Sequence, residues 1–141
     1  MRQMRGGTRR KVLLMRGIGC AVPQWPCKIT EIPTDAPYLN GSRLLVAADC
    51  AAYVYREFHS ELARDHVLLI GCPRQTGAEY GERLAEILRR NDVREIRLVR
   101  MEVGCCDGTE AALCDAIARS GKDISYSQVV IGTDGKILNM T

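Results

Sequence analysis

From residue 43 to the end, apolar and polar positions along the chain follow two alternating rhythms. Short apolar runs at Arg43 to Ala48, His66 to Ile70, Glu95 to Met101 and Ser127 to Ile131 have the length and the bounding turn residues of buried strands. The stretches between them carry helical spacing. Val54, Phe58 and Leu62 recur every four residues and predict a helix that lays one apolar stripe on a sheet. Leu84, Ile87 and Leu88 do the same in the next interval, with Thr76 as the expected N-cap and Asn91–Asp92 as the stop. The third interval carries Leu113, Ala116 and Ile117 and closes at Ser120–Gly121, where glycine suits a left-handed C-cap. Asp134–Gly135 is a two-residue hairpin signal, so Ile137 to Asn139 is expected to turn back as a short antiparallel edge strand. Upstream, Lys28 to Ile32 is a further strand candidate in surroundings that Pro23, Pro26, Pro33 and Pro37 make loop-like, and Trp25 and Tyr38 are its expected anchors.

Strands that alternate with helices predict βαβ crossovers. The expected fold is α/β: one domain with a mostly parallel sheet between layers of crossover helices, Rossmann-like in its three layers, and a C-terminal β-hairpin. With 141 residues, 46% of them hydrophobic, the chain has material for one continuous core. Residues 25–141 are assigned to this domain. Residues 1–24 read as a basic, flexible lead segment, because Arg2, Arg5, Arg9, Arg10, Lys11 and Arg16 occur there with no acidic residue among them.

Twenty Lys and Arg against 17 Asp and Glu leave a net charge of +3, too balanced to demand nucleic acid as a partner. Only 5% of residues are aromatic, which leaves little for base stacking. The apolar run Val12 to Met15 is shorter than a signal-peptide core and stops at Arg16, and no segment approaches the ~20 apolar residues that span a bilayer. A cytoplasmic protein is expected, with neither membrane nor nucleic acid as partner. In that reducing compartment the seven cysteines favour a metal site or redox chemistry over a permanent disulfide framework.

Their positions carry the chemistry. Cys50 follows the strand reading RLLVAAD, Cys72 follows HVLLIG, and Cys105 with Cys106 follows EIRLVRMEVG. In a parallel sheet all carboxyl ends lie on one edge, where the loops converge on the ligand site of such folds. Strand neighbours are about 4.8 Å apart, so these four thiols are expected to meet around an inorganic core, which suits a multi-iron cluster better than a disulfide. Gly71, Gly104 and Gly108 let the backbone approach closely, and helix N-termini after each loop are expected to stabilise thiolates. Cys27 is a further candidate ligand, Cys20 has no clear place, and Cys114, beside Leu113 inside a helix, reads as a small buried hydrophobe. Asp49 reads as a helix cap. His59 reads as a solvated helix residue, and His66 has no acid in triad order near it. There is no G-x-G-x-x-G, no P-loop and no C-x-x-C.

The segments LLVAADC at Leu44 to Cys50, LIGCP at Leu69 to Pro73, VRMEVGCCDG at Val99 to Gly108 and VVIGTDGKIL at Val129 to Leu138 resemble the carboxyl-terminal domain of a family of ferredoxin-like iron–sulfur oxidoreductases from anaerobic microbes. The resemblance runs from about Trp25 to Leu138, and the chain's AADC, GCP and CCDG segments align with the family's AADC, GCP and CCGG motifs. In that family the domain usually follows a ferredoxin module, which this chain lacks, so the chain resembles a standalone version. It departs at Gly104, where the family tends to have proline, at Asp107, where it tends to have glycine, and at Cys27, where valine is common. An added carboxylate beside a cluster tends to lower its potential.

The resemblance implies an iron–sulfur cluster, 4Fe–4S in form, held by Cys50, Cys72, Cys105 and Cys106. It also implies electron transfer with a ferredoxin-type donor or a redox enzyme, the chain serving as an oxidoreductase component. Two other readings remain open on the residues alone. Four thiolates also satisfy tetrahedral zinc in a structural or sensory site, although paired C-x-x-C knuckles are missing. Cys105 and Cys106 can also be read as a metal-free redox or sulfur-carrying pair, against the strain of a disulfide between neighbours.

Overall fold

The computed structural model describes residue 22 and residues 24–141, so the basic run and Cys20 lie outside the described residues. Five strands form one sheet: β1 (Arg43–Ala48), β2 (Val67–Gly71), β3 (Glu95–Met101), β4 (Tyr126–Ile131) and β5 (Ile137–Met140), in the order β2-β1-β3-β4-β5. The first four run parallel and β5 returns antiparallel along β4. The α/β architecture, the mostly parallel sheet and the terminal hairpin are those the periodicity predicts, and β1 and β3 have the predicted bounds.

Two apolar layers cover the sheet. On one face the helices α3 (Ala78–Arg90) and α4 (Asp107–Ser120) bury Leu84, Ile87, Leu88, Leu113 and Ala116 against Leu44, Val46, Ile96 and Leu98. The other face is thinner, with Tyr55, Phe58 and Leu62 covering Leu45, Ala47, Val99 and Ile131. Each fully buried Leu or Ile side chain contributes roughly 1.5–3 kcal/mol. Gly121 closes α4 in the left-handed region at φ 72°, as its position predicts.

The structure corrects several local expectations. The interval after β1 is not one helix: α1 (Ala51–Val54) ends where Tyr55 turns extended, and Phe58–Leu62 forms a separate π-helical turn. The Tyr55 hydroxyl donates to Glu61 Oε2 at 2.5 Å across that break. Spacing by four holds Phe58 and Leu62 inward in either geometry, which is why the pattern did not betray the interruption. Thr76 is not the N-cap of α3; it ends the short helix α2 (Pro73–Thr76), its Oγ1 donating to the Cys72 carbonyl at 3.2 Å, and Gly77 at φ 58° separates the two helices. Lys28 to Ile32 forms a single bridge to Ile70, because the backbone turns at once, with Ile32 N–H donating to the Lys28 carbonyl. The hairpin loop has three residues, Thr133 to Gly135, closed by Gly132 N–H to the Lys136 carbonyl, with Gly135 at φ 85°.

Trp25 is 68% exposed and anchors nothing. The segment is held instead by buried Cys27, Ile29 and Ile32, by Gln24 Nε2 donating to the Leu68 carbonyl, and by Arg83, which reaches the Ile29 and Ile32 carbonyls. Tyr38 packs against the core as expected.

Candidate metal centre

The sheet order places the three cysteine-ending strands side by side: β2, β1 and β3 are neighbours, all with their carboxyl ends on the same edge. The chain leaves β1 toward β2 on one side and returns to β3 on the other, so the loops carrying Cys50 and Cys105–Cys106 flank the point where strand order reverses. Ala48 pairs with Gly71, the last residues of β1 and β2, so Cys72 follows directly after the end of β2 and Cys50 lies two residues past the end of the adjacent β1, where the backbone has already turned into the helical region. Cys50, Cys72 and Cys106 occupy the N-cap positions of α1, α2 and α4.

Gly104–Cys106 winds as a 3-10 turn, which supplies the backbone bend that two adjacent ligands require. Cys106 turns inward and is 5% exposed, packed with the thinner apolar layer, while Cys105 is exposed. Since α4 covers the opposite face, this loop carries the chain over the sheet edge. Cys50 is exposed and Cys72 half-buried. A cleft beside Cys72 is lined by Lys28, Thr30, Asp49, Gln75 and Thr76.

The electrostatics differ from the expectation of helix-stabilised thiolates. Burial first, then the Asp49 carboxylate, pushes the Cys50 thiol up; charge on Cys106 and Cys72 acts in the same direction. Burial also raises Cys106, with charge on Cys105 and Cys72 adding to it. Two of the three helices are four residues long, too short for a large dipole, and desolvation outweighs the third. Asp49 is not a side-chain cap; its Oδ1 accepts from the Cys50 thiol at 3.6 Å.

Among the described residues, no three His, Cys, Asp or Glu side chains are already gathered as a metal-holding group. The strand ends bring the cysteine-bearing loops to one edge, with Cys50 and Cys105 exposed there. In number and type the four cysteines are the donor set of a thiolate-ligated cluster, and the sheet delivers them to one edge without gathering their sulfurs. Cys27 is buried and its carbonyl accepts from Ile70 N–H, three residues back from the level of Cys72 and so about 10 Å below the edge. Cys114 is exposed, not buried: it points off α4 with its sulfur 3.3 Å from the Tyr126 hydroxyl. It lies eight residues beyond Cys106 along the helix, roughly 12 Å away.

His59 is half-buried with its ring edge-on to Phe58, and His66 is buried at the opposite edge of the sheet. Tyr80 escaped the sequence reading. It stands one turn before Leu84 on the same stripe, so its spacing marks it as core, and nothing in that spacing reveals where its hydroxyl ends.

A doubly wound α/β sheet with its candidate site at the strand-order reversal defines the class. Residues 36–141 match the Rossmann-like domain family, and the chain belongs to it. It is also 31% identical over 117 residues to an uncharacterized protein of Archaeoglobus fulgidus, the alignment covering 82% of each chain. No solved structure matches. Among the described residues no helix is long and apolar enough to cross a membrane.

Proposed function

We propose that this protein binds an iron–sulfur cluster, 4Fe–4S in form, through Cys50, Cys72, Cys105 and Cys106, and that it transfers electrons as a cytoplasmic oxidoreductase component. The single observation that carries the reading is the adjacency of β2, β1 and β3, three parallel strands that each deliver cysteine to one edge. The motif resemblance to the cysteine-rich domain of anaerobe ferredoxin-like oxidoreductases supports the same ligand set. When bound, such a cluster supplies one-electron redox chemistry. The chain's part is to hold four sulfurs at an open edge, with Cys106 shielded and Cys50 and Cys105 facing outward. An outward side suits exchange with a ferredoxin-type donor or a redox enzyme.

The metal-free alternative, a redox or sulfur-carrying pair at Cys105 and Cys106, is weakened by the burial of Cys106, which raises its thiol, and by the strain of a disulfide between neighbours. Elemental analysis separates iron from zinc. Anaerobically reconstituted protein is expected to be brown, with iron and acid-labile sulfide in about equal amounts. Colourless protein that retains zinc alone would refute the proposal.

A further inference from the structure

Tyr80, in the first turn of α3, is 1% exposed. Its ring packs on the backbone immediately before Cys72: a Cβ placed on Gly71 would stand 3.2 Å from the ring carbon Cε2. The Tyr80 hydroxyl is fully buried and has no hydrogen-bond partner among the described residues. An O–H taken out of water and left unpaired is a cost that folded proteins seldom accept without a partner arriving later. Burial acts most on this phenol, and charge on Cys72, Cys106 and Asp49, the first two members of the candidate ligand set, acts on it in the same direction.

We propose that Tyr80 is a hydrogen-bond donor built into the cysteine site, its hydroxyl donating to the thiolate sulfur of Cys72 once that sulfur is metal-bound. The inference rests on the cluster reading above and adds a residue that no cysteine motif contains. Burial and the surrounding negative charge hold the phenol well above its ordinary range, so it stays protonated and available as a donor. A donor at sulfur draws charge from the ligand and stabilises the reduced cluster, raising its potential. Tyr80 is therefore a positioning and tuning residue, acting through Cys72 and not on a substrate.

The test compares the full chain with its Tyr80→Phe variant, which keeps the ring against Gly71 and removes only the hydroxyl. Both are reconstituted anaerobically with ferrous iron and sulfide, and their iron content and midpoint potential are measured. Equal iron content with a more negative potential in the variant is expected. Equal potentials, or loss of the cluster with the fold intact by circular dichroism, would overturn the inference. A wild-type chain that takes up no cluster refutes the cluster reading separately. In that event cobalt(II) alone is the probe: the sulfur-to-cobalt charge-transfer band should move to lower energy in Tyr80→Phe, and identical bands would overturn the donor role.

Discussion

The two edges of the sheet are built on opposite plans. At the amino edge, loops are stitched to one another: Arg43 Nε pairs with Glu95 Oε1 at 3.0 Å, Gly41 N–H donates to the Asp92 carbonyl, Arg94 N–H to the Ser42 carbonyl, and Asp92 N–H to Asn40 Oδ1. Asn91 Nδ2 bridges the Thr34 and Ile87 carbonyls, and Lys122 reaches the Asn91 carbonyl. The carboxyl edge has instead two helices of four residues, a 3-10 turn, and the long Cys50 to Asp49 contact at 3.6 Å. The bonds between loops are dense at the amino edge, while the cysteine-bearing loops of the carboxyl edge present exposed Cys50 and Cys105. That division is the usual one in doubly wound folds, where a rigid scaffold presents a ligand at the strands' carboxyl ends.

Breaking the carboxyl edge should have the largest effect. Cys50→Ala and Cys72→Ala are each expected to abolish stable cluster binding while far-ultraviolet circular dichroism stays native, since neither thiol holds the fold together. Alanine at Cys105 or at Cys106 is expected to remove or convert the cluster; full iron content in either variant would remove that residue from the ligand set and leave the other three in place. Next comes Gly71→Val, whose added Cβ would meet Ile29 Cγ2 at 2.9 Å and the Tyr80 ring. Overpacking of this kind costs roughly 1–3 kcal/mol. A melting temperature several degrees lower, together with faster iron loss, is the expected pair of readouts.

The amino edge should respond to pH. The buried His66 ring donates from Nδ1 to the Arg64 carbonyl at 2.7 Å. Burial pushes its pKa down; the Arg64 carbonyl pulls it up, Arg97 and Arg43 push it further down, and Glu95 opposes them. The unfolded chain therefore takes up a proton before the folded chain does. The stability tied to neutral His66 is complete above the ordinary histidine range, about pH 6.5, and is lost as pH falls through the folded-state value. Thermal melts from pH 7.5 to 5 should show a decline that His66→Gln flattens, and parallel slopes for the two proteins would contradict this. The smallest effect is expected from Cys114→Ala, on the outer surface of α4. Iron content should be unchanged and stability should move by no more than about 0.5 kcal/mol, as for an ordinary surface site.

Legibility in the sequence followed the same division. Leu44–Leu45–Val46 is buried on both faces, so its apolar continuity alone fixes it as an inner strand, and the strand-end cysteines follow from counting. What escaped depends on contacts between distant segments. The break at Tyr55 is set by Glu61 and by the hairpin, where a Cβ on Gly135 would stand 2.9 Å from the Val54 carbonyl. Cys114 faces outward because the turn of α4 puts Leu113 and Ala116 inward, and a neighbour on a helix is about 100° away, not on the same face. Trp25 is exposed although its type suggests an anchor, because aromatic character marks burial only on average, and here Gln24 and Cys27 take the inner positions. The Tyr80 hydroxyl could not be placed from spacing that describes only its ring.

The central claim, that the strand-end cysteines hold a redox-active cluster, is tested most directly by low-temperature electron paramagnetic resonance of the anaerobically reconstituted chain before and after dithionite reduction, with iron quantitation on the same sample. The account predicts a signal that appears or disappears on reduction, integrates in proportion to bound iron, and is absent from Cys72→Ala. A wild-type sample without bound iron and without any reduction-dependent signal would contradict it.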